Sequence, residues 1–297
     1  MSERLNKCPL CKSGHFLNHQ EIPDFAVSKE SFVICRCTNC NLLFTNPRPG
    51  QEEIGPYYEF PEYFSHDDES KSLTQSIYNL VRKRNIKNKI HLIESYVRKG
   101  TWLDYGCGTG ELLYAAKENN WKVAGIEPNE KARGLANKKL GEKVKESLDE
   151  IKKSKSFDVI TLFHVLEHIH ELRKTVKKLL NRLNSNGYII IAVPNPESED
   201  AKHYGKYWAG WDVPRHLYHF DKTSINSFKE IFGLNLVDVK PMKFDSYYVS
   251  LLSEGYKNKD ISTFSKFIKA FTNGYNSNSK GKKNNNYSSN IFIFQKQ

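Results

Sequence analysis

A glycine-spaced turn directly after a short apolar strand constrains the fold of this chain more than any other feature. From Trp102 to Gly110 the sequence reads W-L-D-Y-G-C-G-T-G, and a helical pattern begins at Glu111. Such a tight turn needs backbone angles that glycine adopts without strain. The N–H groups at the start of the helix point into the crevice beside the turn. The pattern therefore predicts a strand, turn and helix around a ligand, with Asp104 facing it.

Further apolar strands follow at the intervals of an α/β fold. Lys122–Ile126 reads K-V-A-G-I and ends beside Glu127, where an acid can accept hydrogen bonds from the two hydroxyls of a ribose. Phe157–Phe163 and Tyr188–Val193 have the composition of buried strands. Because strands alternate with helices, the sequence predicts a parallel sheet that is covered on both faces.

The motifs between Thr101 and Pro196 resemble those of class I S-adenosylmethionine-dependent methyltransferases, the group that includes the ubiquinone-biosynthesis O-methyltransferases. D-Y-G-C-G-T-G, G-I-E-P, F-D-V-I, H-V-L-E-H and V-P-N-P occur in the family order. The resemblance implies a Rossmann-like, doubly wound α/β sheet, mostly parallel with an antiparallel last strand at Ser289–Gln295. It also implies a set of residues that bind S-adenosylmethionine: Asp104, Gly106, Cys107, Gly108, Gly110, Glu127, Pro128 and His164. An acidic-small pair that often faces the adenine in this family is represented only by Glu146–Ser147.

Two C-x-x-C pairs near the N-terminus predict a structural zinc site. Four thiolates in paired knuckles can surround one Zn²⁺ tetrahedrally and hold together a ribbon too small to fold alone. The spacer leaves room for a hairpin that carries Phe25 to Ile34. We expect Cys35 to lie in a strand and Cys107 in the glycine turn, both outside the zinc site. The expected ligands are Cys8, Cys11, Cys37 and Cys40.

The pattern along the chain suggests three regions. We expect a zinc ribbon over 1–50, a linker and docking helix over 51–100, and the methyltransferase domain over 101–297. The docking helix corresponds to the apolar spacing over 70–99, which Gly100 ends. The aromatic run at 56–64 either lines the site or packs on the surface. Within the third region, 195–220 and 241–288 are expected to be insertions on the substrate side.

The first insertion contains the candidate catalytic residues. Residues 204–220 combine tryptophans, tyrosines and histidines with Asp212 and Arg215, and a loop after a parallel strand lies over the ligand crevice. A D-x-P-R-H-L-x-x-F stretch like this one recurs in bacterial methyltransferases that resemble the chain, which suggests a shared role for Asp212, Arg215 and His216. The alternative is a purely hydrophobic lid. His168 and His216 are the candidate general bases, and Arg215 suits an anionic substrate group.

H-V-L-E-H at 164–168 also fits the H-x-x-E-H pattern of a zinc peptidase. That chemistry requires both histidines on one continuous helix. Here the pair spans the passage from a predicted strand to a helix, so the peptidase interpretation is disfavoured.

The second insertion has helical apolar spacing at Tyr247–Tyr256 and Ile261–Phe271. Asn273–Asn286 is rich in asparagine, lysine and serine, which predicts a polar, mobile loop. Before this insertion, Asp221 is a predicted helix cap and 235–239 a predicted strand.

Composition leaves three functions open. The chain has a net charge of +11 and no apolar stretch long enough to span a membrane or act as a signal, so we expect a cytoplasmic protein. We favour a methyltransferase with a small-molecule acceptor: a sugar, a lipid-linked glycan precursor or an aromatic metabolite. An RNA methyltransferase with a zinc-ribbon recognition module is the alternative, although the N-P-P-Y motif of many base methyltransferases is absent. A non-catalytic domain, including one that binds another nucleotide, is the third. The sequence does not indicate an oligomeric state.

Overall fold

The computed structural model describes residues 2–59, 73–141, 143–258 and 260–297. The chain divides into two compact units, each made of segments that are separate in sequence. The first unit comprises 1–63, 164–175 and 191–292, and the second comprises 64–163, 176–190 and 293–297. The parts of the aromatic run and of the docking helix that fall on 60–72 lie outside the described residues.

Strands and helices alternate through most of the chain. The strands are β1 (Phe16–Pro23), β2 (Ser31–Cys37), β3 (Leu43–Thr45), β4 (Thr101–Tyr105), β5 (Lys122–Ile126), β6 (Val144–Lys145), β7 (Phe157–Phe163), β8 (Leu183–Pro194), β9 (Tyr218–His219), β10 (Leu234–Pro241) and β11 (Ser289–Lys296). The helices are α1 (Leu73–Glu94), α2 (Glu111–Glu118), α3 (Glu130–Leu140), α4 (Leu172–Leu180), α5 (Glu199–Tyr204), α6 (Lys222–Phe232), α7 (Asp245–Lys257) and α8 (Thr263–Asn284).

The larger sheet confirms the predicted Rossmann-like α/β fold. Its strand order is β10, β11, β8, β7, β4, β5 and β6, mostly parallel with an antiparallel end strand. β4 pairs in parallel with both β5 and β7, and β5 pairs in parallel with β6. Strands β5 and β7 have the predicted bounds, because near-continuous apolar runs are typical of strands buried on both faces.

A smaller antiparallel sheet in the first unit has the order β1, β2, β3 and β9. β1 and β2 form the expected hairpin between the two cysteine pairs, with 24–30 as the connection. β3 pairs with β9, so Leu43 lies opposite His219. The N-terminal segment therefore shares a sheet and a compact unit with the 195–220 insertion.

The prediction of a polar loop at Asn273–Asn286 is wrong, because α8 continues to Asn284. Small residues repeat along its buried side: Ala270, Gly274, Ser277 and Gly281. A Cβ added at Gly274 would lie 2.7 Å from the Tyr247 ring, so glycine allows α8 to approach α7 closely. The segment resembles a low-complexity loop because its outward positions are mostly asparagine and lysine.

The helical spacing at Tyr247–Tyr256 and Ile261–Phe271 is confirmed by α7 and by the first half of α8. Asp221 caps α6 as expected, accepting a hydrogen bond from the Ser224 N–H. The docking helix α1 ends at Glu94, earlier than the predicted stop at Gly100. Across the part of the chain that the structure describes, no helix combines the length and apolar content needed to cross a bilayer.

Candidate functional site

The glycine turn lies in the second unit, between β4 and α2. The N–H groups of Gly106 and Cys107 donate to the Ile126 carbonyl at 2.7 and 3.0 Å, which fixes the turn against the end of β5. Gly106, Gly108 and Gly110 have φ values of 77°, 54° and 79°. These left-handed angles explain why glycine recurs at this spacing.

The glycines of the turn have different surroundings. A Cβ added at Gly108 would meet no atom within 4 Å, so this residue borders open space. A Cβ at Gly110 would lie 2.9 Å from the Ala136 Cβ, so Gly110 lets α2 pack against α3. Cys107 is partly buried with its sulfur against Gly125, and burial raises the pKa of its thiol. Its side chain is thus a packing element, as expected for a cysteine outside a metal site.

Glu127 is connected directly to the turn. Its Oε2 accepts the Gly108 N–H at 2.8 Å, and its Oε1 accepts the Asn129 N–H at 2.9 Å. Arg133 Nη1 donates to the carbonyls of Glu127 and Pro128 at 2.9 and 2.7 Å. The turn and the acid after β5 therefore form one connected surface. A carboxylate beside open backbone fits the ribose of a nucleoside cofactor.

Asp104 is almost completely buried at the end of β4. The Thr161 hydroxyl donates to its carboxylate at 2.5 Å, and the Trp102 indole N–H donates to the same hydroxyl at 2.8 Å. Burial raises the pKa of Asp104 to about 6, although Thr161 and Lys89 oppose the shift. The carboxylate that was expected to face the ligand is thus hydrogen-bonded inside the sheet.

Replacing Asp104 with asparagine should stabilise the protein at pH 8. The pKa of the Asp104 carboxyl is higher in the folded protein than in the unfolded chain. Protonated Asp104 therefore contributes most to stability at low pH, and this contribution is lost as the pH rises through about 6. We expect a gain of about 3 kcal/mol in the free energy of unfolding at pH 8. The gain should shrink towards zero near pH 4. Urea unfolding of Asp104→Asn and wild type at both pH values measures this difference.

Asp158 provides a control of opposite sign. Its carboxylate accepts hydrogen bonds from the Thr101 N–H and from Asn184 at 2.7 Å each. Burial alone would raise the pKa of Asp158, but these donors lower it. Asp158→Asn should therefore destabilise the protein at pH 8. A gain for Asp104→Asn that did not change with pH would contradict the assignment.

The cysteine cluster lies in the first unit. The sulfur atoms of the four expected ligands all lie within 4.8 Å of one another. These ligands are Cys8, Cys11, Cys37 and Cys40. Cys8 Sγ is 3.6 Å from Cys40 Sγ, and Cys11 Sγ is 3.5 Å from Cys37 Sγ. Sulfurs that bind one zinc tetrahedrally are about 3.8 Å apart, so the donor set fits this ion. The Cys35 sulfur instead contacts Asn18 Oδ1 at 3.5 Å, outside the cluster.

His164 follows β7 and has the left-handed φ of 57°, a strained conformation for a residue with a side chain. Its Nε2 is 2.9 Å from Asp245 Oδ2, and its Nδ1 is 3.4 Å from Glu167 Oε1. Burial lowers the pKa of His164, but these carboxylates raise it to about 10, so the ring is a cation at neutral pH. Only a short 3-10 turn at Leu166–His168 follows, so the histidines of H-V-L-E-H do not share an α-helix.

His168 and His216 are brought together as candidate bases. Their rings meet edge to face with centroids 4.7 Å apart. His168 Nδ1 is 3.0 Å from the Arg215 carbonyl and 2.9 Å from the Tyr58 hydroxyl. Burial and His216 lower the pKa of His168 to about 4. This ring is neutral at pH 7 and is a weak base there.

Arg215 and Asp212 belong to a buried ion-pair network. The guanidinium of Arg215 is 1% exposed and donates to Asp24 and Asp212 at 2.8 Å each, and to the Tyr57 carbonyl at 2.9 Å. This arrangement does not present Arg215 to an anionic substrate as expected. Both residues border a small recess that Phe25, Trp211 and Tyr256 also line.

Sequence reasoning missed two acids of the first unit. Asp24 caps a turn by accepting hydrogen bonds from the N–H groups of Ala26, Val27 and Ser28. It also pairs with Arg215, and no sequence pattern around either residue predicts this pairing. Glu167 is fully buried inside H-V-L-E-H, and neither of its oxygens has a hydrogen-bond partner among the described residues. Its place between two histidines was the signal that could have identified it.

The glycine turn, the acid after β5 and the parallel sheet are the features of a class I S-adenosylmethionine-dependent methyltransferase. Residues 78–239 match the family described as methyltransferase domain, and the chain belongs to that family.

The chain is also similar to individual proteins. A ubiquinone biosynthesis O-methyltransferase of Rickettsia canadensis is 25% identical over 181 residues, which are 56% of this chain and 76% of the relative. An uncharacterized methyltransferase of Alkaliphilus oremlandii is 33% identical over 109 residues, 35% of this chain and 50% of the relative. A SAM-dependent methyltransferase structure from Archaeoglobus fulgidus has a TM-score of 0.46 and 19% identity, covering 72% of this chain and 94% of that one.

Proposed function

We propose that this protein transfers a methyl group from S-adenosylmethionine to a hydroxyl of a small-molecule acceptor. A sugar, a lipid-linked glycan precursor and an aromatic metabolite are the candidate acceptors. The observation that carries the proposal is the hydrogen bond between the Gly108 N–H and Glu127, which joins two elements of the expected cofactor surface. The names of the ubiquinone O-methyltransferase relatives favour oxygen as the methylated atom.

The cofactor is proposed to bind along the turn and the residues that follow β5. Glu127 would accept hydrogen bonds from the ribose, and open backbone at Gly108 would allow close approach. S-adenosylmethionine supplies an electrophilic methyl group, and the protein orients the acceptor and excludes water. The proposed contact residues are Gly106, Cys107, Gly108, Gly110, Glu127, Pro128 and His164, whereas the carboxylate of Asp104 is buried at the end of β4.

We propose that two histidines of the first unit, His168 and His216, activate the acceptor hydroxyl. Asp212 lies 3.9 Å from His216 Nε2 and would orient that ring. The low pKa of His168 favours His216 as the residue that receives the proton. Arg215 would hold Asp212 in place.

Fractionation of methylated products tests the acceptor class. The protein is incubated with methyl-labelled S-adenosylmethionine and an extract of its source organism, which is then separated into small-molecule, lipid and RNA fractions. We expect the label in the small-molecule or lipid fraction. Label in RNA would establish the alternative, an RNA methyltransferase with a zinc-ribbon recognition module.

The four-cysteine cluster within 1–50 is proposed to hold a structural zinc ion. The Cys8–Cys40 and Cys11–Cys37 sulfur distances support this assignment, as does the hairpin between the two pairs. Structural zinc contributes on the order of 10 kcal/mol to folding in small modules. We therefore expect the ion to hold together the region that precedes β3.

Cys37→Ser should abolish zinc binding at this cluster, because one of four thiolates is lost. The measurement is the zinc released when a mercurial reagent attacks the thiolates of purified protein. Cys35→Ser is the matched control, since Cys35 is an equally buried cysteine two residues away in β2. Equal zinc release from both variants would contradict the assignment.

A further inference from the structure

A second group of potential metal ligands lies in the first unit, apart from the cysteines. One atom from each of Glu167, His168 and His216 lies within 4.8 Å of the others. Glu167 and His216 are buried, and His168 is half-buried. We propose that these three side chains bind a divalent transition-metal ion.

The buried carboxylate of Glu167 points to a ligand. It is 0% exposed, yet both oxygens lack a hydrogen-bond partner among the residues that the structure describes. The His164 cation has Nδ1 3.4 Å from Oε1, which is long for a charge-assisted hydrogen bond. Burying a carboxylate that is offset only by this longer contact costs free energy. A metal ion beside Glu167 would remove that cost.

Both histidines have Nδ1 within hydrogen-bonding distance of a backbone carbonyl. His168 Nδ1 is 3.0 Å from the Arg215 carbonyl, and His216 Nδ1 is 2.9 Å from the Gly210 carbonyl. A carbonyl oxygen only accepts hydrogen bonds, so Nδ1 carries the hydrogen in each ring. Nε2 is then unprotonated. A backbone carbonyl that fixes the tautomer in this way is typical of metal-binding histidines.

The donor set determines the class of metal. Two imidazoles and one carboxylate suit Zn²⁺, Fe²⁺, Co²⁺ or Ni²⁺ better than Mg²⁺ or Ca²⁺, which prefer oxygen ligands. Ligands of one such ion are about 3.4 Å apart, and the three candidate ligand atoms already lie within 4.8 Å of one another. Three protein ligands leave a coordination position open for an oxygen ligand.

The site differs from that of an H-x-x-E-H peptidase. A peptidase would use both histidines of the motif, whereas His164 is paired with Asp245 here. His216 comes instead from the segment before β9. If the proposed function also holds, the open position would take the acceptor hydroxyl and lower its pKa. The hydroxyl, with its pKa lowered, would then release its proton to solvent, and the two histidines would act as metal ligands and not as proton acceptors.

Cobalt titration of the full-length protein tests the site without any methyl transfer. The cysteine cluster is first loaded with one equivalent of Zn²⁺, and Co²⁺ is then added. We expect a further equivalent of Co²⁺ to bind, with visible d–d absorption and no sulfur-to-cobalt charge-transfer band. Absence of this absorption, or a spectrum with the thiolate band only, would overturn the proposal.

Variants assign the ligands. Glu167→Gln keeps the size of the side chain and removes its charge, and His216→Ala removes one imidazole. Each should weaken Co²⁺ binding at this site at least tenfold, whereas His203→Ala, an exposed histidine of the same unit, should not. Unchanged binding in both ligand variants would overturn the assignment. Near-ultraviolet circular dichroism of each variant shows whether the fold is retained.

The same preparation separates this inference from the proposed function. Binding of S-adenosylmethionine is measured on the zinc-loaded protein with and without added Co²⁺. Co²⁺ binding without binding of S-adenosylmethionine would leave the metal site standing and contradict the enzyme proposal. Binding of S-adenosylmethionine by a protein that takes up no Co²⁺ at this site would contradict the metal site and leave the enzyme proposal standing.

Discussion

Gly108→Arg should lower the affinity for S-adenosylmethionine by at least about 100-fold, equivalent to about 2.8 kcal/mol. Gly108 borders open space in the turn, and its N–H binds Glu127. An arginine side chain would occupy the space in which the proposed cofactor approaches the backbone. Equilibrium dialysis with labelled cofactor measures the loss.

Gly141→Arg is the matched control for this substitution. Gly141 also has a left-handed φ, of 66° against 54° at Gly108, and a Cβ there would likewise meet no atom within 4 Å. It ends α3 and is not one of the proposed contact residues. Both variants should therefore carry similar backbone strain, but only Gly108→Arg should lose the cofactor. Equal losses would show that strain, and not the position, causes the effect.

Arg215→Ala should destabilise the protein by about 3–5 kcal/mol, because it leaves a buried carboxylate without its partner. The side chain of Asp24 is 0% exposed and pairs with Arg215 at 2.8 Å. The effect is measured as the change in the free energy of unfolding in urea. Arg36→Ala, at an exposed position of β2, should change it by less than about 0.5 kcal/mol.

A second variant separates loss of the ion pair from loss of packing. Adding Asp24→Asn to Arg215→Ala removes the unpaired charge and should recover part of the stability. If Arg215→Ala cost under about 1 kcal/mol, or if Asp24→Asn recovered nothing, the ion pair would not be what stabilises this region.

The sequence predicted the elements whose signals are local. β4, the turn and α2 follow from an apolar run, three spaced glycines and a helical pattern within one short stretch. β5 and β7 were recognised because strands in the middle of a parallel sheet are apolar on both faces. The cysteine pairs predicted their own cluster, since each knuckle fixes two sulfurs close together.

Other features depend on contacts between distant segments. Asp24 and Arg215 are far apart in sequence, and neither has a neighbour that predicts the pair. Arg215 was therefore predicted to bind an anionic substrate group, although Asp24 and Asp212 already neutralise its charge. The second half of α8 was predicted as a loop because its helical signal is a row of small residues, which matters only once α7 packs against it. His164 has a left-handed backbone conformation, which no sequence pattern predicts.

Calorimetric titration of the zinc-loaded protein with S-adenosylmethionine and S-adenosylhomocysteine tests the central claim most directly. We predict saturable, micromolar binding of both ligands that Glu127→Ala weakens at least tenfold, because Glu127 connects the turn to the end of β5. Absence of heat with either ligand, or binding that Glu127→Ala and Gly108→Arg leave unchanged, would contradict the proposed cofactor site.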